Sequence, residues 1–182
     1  MSRAALARVH AAHADAWEAE GRLRERDGGG ALEVRGLRLM ASGLAGAPRN
    51  GGDATAPDAD LAAARAYYAA RGTAWGVRVP SGMPWRAGRR LKTLRIMAVE
   101  PGAFVPAPAV PGVDLRPAGP GDLEAVLAVD AAAFGGDPAA ERPWLAPHLG
   151  ARRFTTVLAT RDGEPVGTCL LYTSDAADDS RV

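Results

Sequence analysis

The chain has 182 residues, of which 47% are hydrophobic and 24% charged, and its formal net charge is +1. This composition is that of a globular protein with one ordinary domain or two small ones, and so small a charge argues against a dedicated nucleic-acid-binding protein or a polybasic membrane anchor. No apolar run reaches the roughly 20 residues of a membrane-spanning helix, and the N-terminus lacks the apolar segment of a secretory signal, so we expect a cytoplasmic protein with no membrane partner.

The N-terminal third predicts a helix and then a strand. Apolar residues recur at helical spacing over 3–26, and the glycines at 28–30 end that helix. A strand over 32–40 changes its apolar parity at Gly36, which predicts an inserted bulge residue. The following stretch, 42–57, is rich in Gly, Pro, Ala and Asp and predicts a loop.

The middle of the chain predicts one helix and two strands. Asp58 or Asp60 can cap a helix that runs to Gly72. Alternation over 75–79 predicts a half-buried strand. Residues 91–99 are apolar at most positions, which predicts a strand in the centre of its sheet.

The C-terminal part begins after a stiff segment. Four prolines in 101–112 predict an extended linker, and we place the main domain boundary there. After it the pattern predicts a strand, a helix with Asp122 at its N-cap, a second helix that prolines make short or broken, and a hairpin turned on Asp162-Gly163. The first strand covers 113–116, the two helices cover 122–134 and 138–149, and the two strands of the hairpin cover 154–160 and 165–168.

Short phrases in this part carry a family resemblance. Leu115-Arg-Pro-Ala closes the strand, Gly121-Asp-Leu-Glu begins the helix, Ala133-Phe-Gly ends it, and Asp162-Gly-Glu-Pro-Val-Gly turns the hairpin. In this order they resemble the opening of a GCN5-related N-acetyltransferase domain. The resemblance implies an α/β (α+β) chain with a partial acyl-CoA N-acyltransferase-like fold. That fold is a mixed, mostly antiparallel sheet with helices, here preceded by a smaller strand-helix-strand-strand region.

The linker and the resemblance together divide the chain into five parts. We predict an N-terminal helix (1–27), a strand-helix-strand-strand region that is a candidate degenerate half of the same domain (28–100), the linker (101–112), the N-terminal half of an acetyltransferase domain (113–168) and a foreign tail (169–182). Residues 169–178 resemble a translated sequencing adapter, and they contain the only cysteine, Cys169. We therefore expect the natural sequence to depart from this one near Gly167 or Thr168 and to lack cysteine chemistry.

The resemblance implies an enzyme that transfers an acetyl group from acetyl-CoA to a primary amine. In the family a general base removes the ammonium proton, and a Gly-rich loop after the fourth strand, of the type Arg/Gln-x-x-Gly-x-Gly/Ala, holds the CoA pyrophosphate on its backbone N–H groups. The resemblance ends on the third strand, and we expect no such loop in this chain. We therefore assign no catalytic, cofactor-binding or metal-binding residue. The resemblance implies acetyl-CoA as the cosubstrate of the intact protein, and this chain is predicted to be inactive and to bind no cofactor.

Two other functions are compatible with the sequence. The same half-domain can serve as a non-catalytic binding or regulatory module. Nucleic-acid binding would depend on the basic run over 86–95 beside Trp85, but we interpret that run as solvated charges and expect no nucleic-acid partner. Arginine is common throughout and Lys92 is the only lysine, which a GC-rich bacterial genome explains. His10 and His13 are one helical turn apart, as zinc ligands can be, but no acidic or thiol partner has matching spacing, so we interpret them as structural.

The acceptor groove is the one part of the site that the resemblance places in this chain. The connection between the first two helices lines it, which here means Phe134 to Trp144. Phe134 is either the last core residue of its helix or a groove contact, and Trp144 lies between two prolines, where an aromatic ring can wall a pocket. Asp130 is either at the edge of the apolar stripe or a polar contact in the groove. The acceptor, a small-molecule or peptide amine, and the oligomeric state are left open.

Overall fold

The computed structural model describes residues 2–45, 49–99 and 101–172. These residues form four α-helices and seven strands in two sheets, both mostly antiparallel, so the predicted mixed α+β class is confirmed. In these ranges no helix is both long and apolar enough to cross a membrane.

Helix α1, Arg3–Leu23, opens the fold and lies against the first sheet, here called the N-terminal sheet. The hydroxyl of Ser2 caps the helix by accepting the N–H of Ala5 at 3.1 Å. The four strands of this sheet lie in the order β1-β2-β3-β4, and they are Gly30–Val34, Leu37–Ala41, Gly51–Ala54 and Gly76–Arg78. Strand β4 pairs parallel with β3, and the crossover that a parallel pair needs is helix α2, Leu61–Ala69.

Helices α1 and α2 cover opposite faces of the N-terminal sheet, because successive side chains of a strand point to opposite sides. On β2, Leu37 and Leu39 are buried and pack with Ala64 and Tyr68 of α2. Arg38 lies between them and points to the other face, where it donates hydrogen bonds to two carboxylates of α1. The α2 face is therefore an apolar core, whereas ion pairs connect the α1 face to its helix.

Two predictions for this region are wrong. The parity change at Gly36 marks a hairpin turn between β1 and β2, not a bulge, and Gly36 takes a φ of 72° there, which glycine adopts without strain. Part of the loop predicted over 42–57 is strand β3. A Cβ atom at Gly52 in that strand would lie 1.9 Å from the carbonyl oxygen of Arg38, so only glycine allows the two backbones to come this close.

The strand predicted over 91–99 is also wrong. Residues 79–99 contain no helix or strand, and apolar side chains are exposed there, Leu91 to 73% and Met97 to 88%. A strand needs a neighbour for its backbone hydrogen bonds, and none of the described strands pairs with this segment. The predicted linker over 101–112 holds a short 3-10 helix, Pro101–Ala103, and is otherwise irregular.

The second sheet, here called the C-terminal sheet, is antiparallel throughout. Its strands lie in the order β5-β6-β7, and they are Val113–Pro117, Phe154–Arg161 and Glu164–Tyr172. The predicted turn between β6 and β7 is confirmed, since Asp162 and Gly163 both take positive φ values, 52° and 83°. Helices α3, Leu123–Phe134, and α4, Pro138–Leu145, connect β5 to β6, and α3 packs against β7.

Proline limits helix α4, as predicted. Pro138 is the first helical residue, where its missing N–H removes no helical hydrogen bond, and Asp137 caps the helix by accepting a backbone N–H at 2.9 Å. Pro143 lies inside the helix, which is only eight residues long and gives way to a 3-10 helix, Ala146–His148. This turn brings the imidazole of His148 into the interior.

Candidate functional site

A pocket of about 190 Å³ lies between α3, α4 and the C-terminal sheet. Its lining is mainly apolar, with one carboxylate, one imidazole and two hydroxyl groups. The lining residues are Val126, Asp130, Phe134, Leu145, His148, Thr156, Thr168 and Leu170. Of these, Leu170 lies in the segment that resembles an adapter, and the others belong to 113–168.

Two of the three predicted groove residues line this pocket. Asp130 is half-buried on α3, and Phe134 ends the same helix one turn later. Phe134 is 82% exposed, so it is not a core residue and its ring lies at the rim. That these residues contact a substrate stays a prediction.

The third predicted residue, Trp144, lies at the junction with the N-terminal region. The guanidinium carbon of Arg24 is 4.0 Å from the centre of its ring, and that of Arg49 is 4.5 Å away. Such cation–π contacts are favourable, most of all where water is excluded. Trp144 is not among the residues that line the pocket. A groove role for Trp144 stays a prediction, and the observed contacts hold the two regions together.

The sequence analysis missed His148, which is the most enclosed polar residue of the pocket. It is 1% exposed, and its Nε2 atom is 2.7 Å from Oε1 of Glu20 on α1. The rings of Trp144 and Phe154 flank the imidazole, with centroids at 5.6 and 5.0 Å. Its other nitrogen, Nδ1, has no hydrogen-bond partner among the described residues. Because Glu20 is 128 residues away in the sequence, no local spacing could indicate the pair.

Arg24 completes the charged cluster behind His148. Its side chain is buried, and Nη2 donates to the carbonyl oxygen of Trp144 at 2.8 Å and lies 3.2 Å from Oε2 of Glu20. Burial lowers the pKa of Arg24, and the charge of Glu20 acts in the opposite direction. Within the described ranges Nε and Nη1 of Arg24 have no partner. The cluster is therefore an incompletely paired ionic site under the pocket. Buried charges and polar atoms without partners destabilise a fold, so such a site is a candidate for a functional role.

Each polar side chain that lines the pocket can accept a hydrogen bond, and the two threonine hydroxyls can also donate one. Asp130 contributes a carboxylate, and the Thr168 hydroxyl is buried and has no partner in the part of the chain that the structure describes. An apolar pocket with such groups suits a ligand that donates hydrogen bonds and carries positive charge. No protein-family model, curated protein or solved structure matches the chain. The pocket is therefore interpreted from its own geometry.

The letters of the family's pyrophosphate motif occur at 26–31, 49–54 and 116–121, contrary to our expectation that the chain lacks them. The first two lead into β1 and β3 instead of following a strand. The third joins β5 to α3, but Pro120 has no N–H, and the N–H of Gly119 donates to Asp122 at 2.8 Å. Hydrogen bonds from Arg116 and from Gly119 hold the pKa of Asp122 well below its usual range. A carboxylate thus already occupies this helix N-terminus, and the loop does not fit a pyrophosphate.

The predicted structural interpretation of His13 agrees with its contacts. Its Nδ1 atom is 3.1 Å from both carboxylate oxygens of Asp53, and Arg78 donates to the same oxygens at 2.9 and 3.1 Å. Burial acts to raise the pKa of Asp53, but the hydrogen bonds from His13 and Arg78 outweigh it, and the pKa is lowered. Within the described residues no group of three or more His, Cys, Asp or Glu side chains is placed to bind a metal ion.

The basic run over 86–95 lies on an exposed, irregular segment. Its neighbour Trp85 is half-buried against the α2 core, and its indole N–H donates to the carbonyl oxygen of Ala87 at 2.9 Å. Its packing against the α2 core leaves less of the ring available for stacking on a base. The observed contacts of Trp85 therefore agree with the interpretation of the run as solvated charges.

Proposed function

We propose that residues 113–168 form the acceptor-side opening of an acetyl-CoA-dependent N-acetyltransferase domain that acts on a primary amine. The observation that carries the proposal is the pocket beside the α3–α4 connection, where the resemblance implies an acceptor groove. Asp130 and Phe134 line it. A primary ammonium group has three N–H donors and a positive charge, which match the carboxylate and the unpaired acceptors of the pocket.

The order of elements also supports the proposal. Strand β5, helices α3 and α4, and the hairpin β6–β7 follow one another as the resemblance implies for the start of the domain. The three strands are adjacent and antiparallel in the order β5-β6-β7. We propose acetyl-CoA as the cosubstrate of the intact, cytoplasmic protein, and we assign no residue of this chain to it.

Titration with acetyl-CoA tests this function. Two chains are compared: residues 1–182 as written, and residues 1–168 joined to the continuation found in the source genome. We expect micromolar binding, and transfer to an amine, only with the second chain, because backbone N–H groups of a Gly-rich loop are needed for the pyrophosphate. Equal micromolar binding by both chains would contradict the interpretation of 169–182 as a foreign tail. It would also contradict the expectation that this chain lacks a loop that binds acetyl-CoA.

A non-catalytic module is the second candidate, and the contact between the two regions favours it. Arg24 and Arg49 both stack on Trp144, and Arg49 also pairs with Glu141 at 2.7 Å. A half-domain held by these contacts with the N-terminal region could serve as a packing or regulatory unit. If the chain with the genomic continuation folds but binds no acetyl-CoA, this function replaces the first.

A further inference from the structure

We infer that His148 is a proton acceptor for a small primary ammonium group bound in the pocket, and that Glu20 of the N-terminal helix is its positioning residue. This inference rests on the proposed function and names the group that the acceptor side would use. It also gives the N-terminal region a part in the chemistry, since Glu20 lies outside the acetyltransferase-like segment. Three observations carry it: the 2.7 Å contact, the unpaired Nδ1 and the acceptor-rich pocket.

The contact with Glu20 fixes which nitrogen of His148 carries hydrogen. A carboxylate oxygen only accepts hydrogen bonds, so a separation of 2.7 Å requires a hydrogen on Nε2. In the neutral ring this leaves Nδ1 with its lone pair. Buried polar atoms in folded proteins are nearly always paired, and His148 lines the pocket. The unpaired Nδ1 therefore indicates a ligand that donates a hydrogen bond.

Of the charged groups near His148, the carboxylates of Glu20 and Asp130 attract a cationic ligand, and the guanidinium of Arg24 repels one. Arg24, the C-cap residue of α1, lies 3.5 Å from Nε2 of His148 and 3.2 Å from the carboxylate of Glu20, so these two opposite charges offset each other behind the ring. Asp130 of α3 lines the pocket and attracts an ammonium group. The remaining neighbours of the imidazole, the rings of Trp144 and Phe154, carry no charge.

The proton then moves in one balanced step. An N–H bond of the ammonium group breaks, and its electron pair stays on the ligand nitrogen, which becomes a neutral amine. The lone pair of Nδ1 forms the new N–H bond, and the ring becomes an imidazolium whose Nε2–H still donates to Glu20. Total charge is conserved, and the carboxylate of Glu20 stabilises the cation where it forms.

The size of the pocket limits the ligand. Sites for drug-sized molecules measure roughly 300–1,000 Å³, whereas this pocket measures about 190 Å³. It can therefore take the terminal ammonium group and a few methylene groups of an alkylamine. Val126 and Leu145 offer apolar contact, and the exposed ring of Phe134 can cover the chain that leaves the pocket.

Long-range proton–nitrogen NMR on protein labelled at histidine tests the inference directly. The chain has three histidines, and a His148→Phe variant assigns the signal. The titrants are n-butylammonium and n-butyltrimethylammonium, which carry the same charge, although only the first has N–H groups. We expect His148 to carry hydrogen on Nε2 alone in the free protein. We also expect a saturable shift of the Nδ1 signal with the first titrant, because its N–H group donates a hydrogen bond to Nδ1, and no such shift with the second.

Variants test separately how the position of the His148 ring and the charge of the pocket contribute. Glu20→Leu removes the acceptor of the Nε2–H and should abolish the single tautomer, whereas Glu141→Leu, which removes the neighbouring pair with Arg49, should preserve it. Asp130→Asn should weaken butylammonium binding by about tenfold, the usual effect of losing a hydrogen bond to a charged group. Thermal unfolding of each variant establishes that it is folded, and the tautomer itself is measured on the unaltered chain once His148→Phe has assigned its signal.

Hydrogen on Nδ1 of the free protein, a doubly protonated free ring, or equal responses to the two titrants would each overturn the inference. None of these measurements uses acetyl-CoA, so failure of the inference about His148 can be distinguished from failure of the proposed function. If the NMR results are as expected but the chain with its genomic continuation binds no acetyl-CoA, the protein has the ammonium site and lacks the acetyltransferase activity.

Discussion

Helix α1 makes two histidine–carboxylate contacts, one with each half of the molecule, and they differ in how completely they are paired. Toward the N-terminal sheet, His13 and Arg78 both bind the carboxylate of Asp53, and each of its oxygens has two partners. Toward the C-terminal sheet, Glu20 pairs with His148, and Nδ1 of that ring and two nitrogens of Arg24 have no partner within the described residues.

The difference distinguishes a structural contact from a candidate site. A buried ionic network stabilises a fold best when every donor and acceptor is used. Both carboxylate oxygens of Asp53 are paired, so the role of this network is to hold α1 on the sheet. The His148 cluster is incompletely paired, although its imidazole is the more deeply buried. Atoms left unpaired beside a pocket are where a ligand would supply the missing partner.

The largest expected effect follows from removing the carboxylate that is fully paired. Asp53→Ala leaves Arg78 and His13 facing each other without a counter-charge, and we expect a loss of about 3 kcal/mol in the free energy of unfolding. Urea denaturation measures it. The matched control is Asp58→Ala, because Asp58 pairs with Arg35 at 3.1 Å in an exposed position. The control should stay within about 0.5 kcal/mol of the unaltered chain. Equal effects at the two positions would contradict the structural role of Asp53.

Acid should remove the same contribution gradually. The pKa of Asp53 is lower in the folded chain than its ordinary value, since His13 and Arg78 outweigh the effect of burial. The folded state therefore binds fewer protons than the unfolded state. The stabilisation is fully present above the ordinary pKa of about 3.9 and is lost as the pH falls through the lower folded value. Urea midpoints measured from roughly pH 5 downward should fall more steeply for the unaltered chain than for Asp53→Asn. Parallel curves would refute the lowered pKa.

Removing an unpaired polar group beside the pocket should instead raise the free energy of unfolding. Thr168→Val removes a buried hydroxyl that has no partner in the described ranges and keeps the shape of the side chain. We expect it to raise the free energy of unfolding by about 1 kcal/mol, because an unsatisfied buried polar group is destabilising. Thr155→Val, at an exposed position on the adjacent strand β6, is the control and should have no such effect. Destabilisation by Thr168→Val would mean that the hydroxyl is paired in solution.

The sequence predicted those elements whose causes are local. Helix α2 begins at the cap Asp60, α4 is shortened by its prolines, and the hairpin turn uses Asp162-Gly163. Strand β3 was not predictable, because Gly-Gly-Asp-Ala has a low preference for strands. It forms since Gly52 admits the backbone of β2 at close range and Asp53 finds partners on α1 and β4.

The candidate site divides in the same way. Asp130 follows from the periodicity of α3, the resemblance implies Phe134 at the groove, and both residues line the pocket. The pair of Glu20 and His148 depends on how α1 packs against the turn after α4, and no spacing in the sequence encodes that. The segment 91–99 shows the converse, because an apolar pattern becomes a strand only where a neighbouring strand exists.

The smallest expected effect concerns an ion pair on the outer wall of the pocket. Arg142 of α4 donates to Glu124 of α3 at 2.5 and 2.8 Å, but the two side chains are 43% and 76% exposed. Water and salt screen such a pair, and holding two long side chains in place has an entropic cost that offsets the attraction. Arg142→Gln should therefore change neither the melting temperature nor the affinity for butylammonium measurably. A clear fall in melting temperature would mean that exposed pairs contribute here as much as buried ones. In that case burial and complete pairing would not explain the difference between the His13–Asp53 contact and the Glu20–His148 contact of α1.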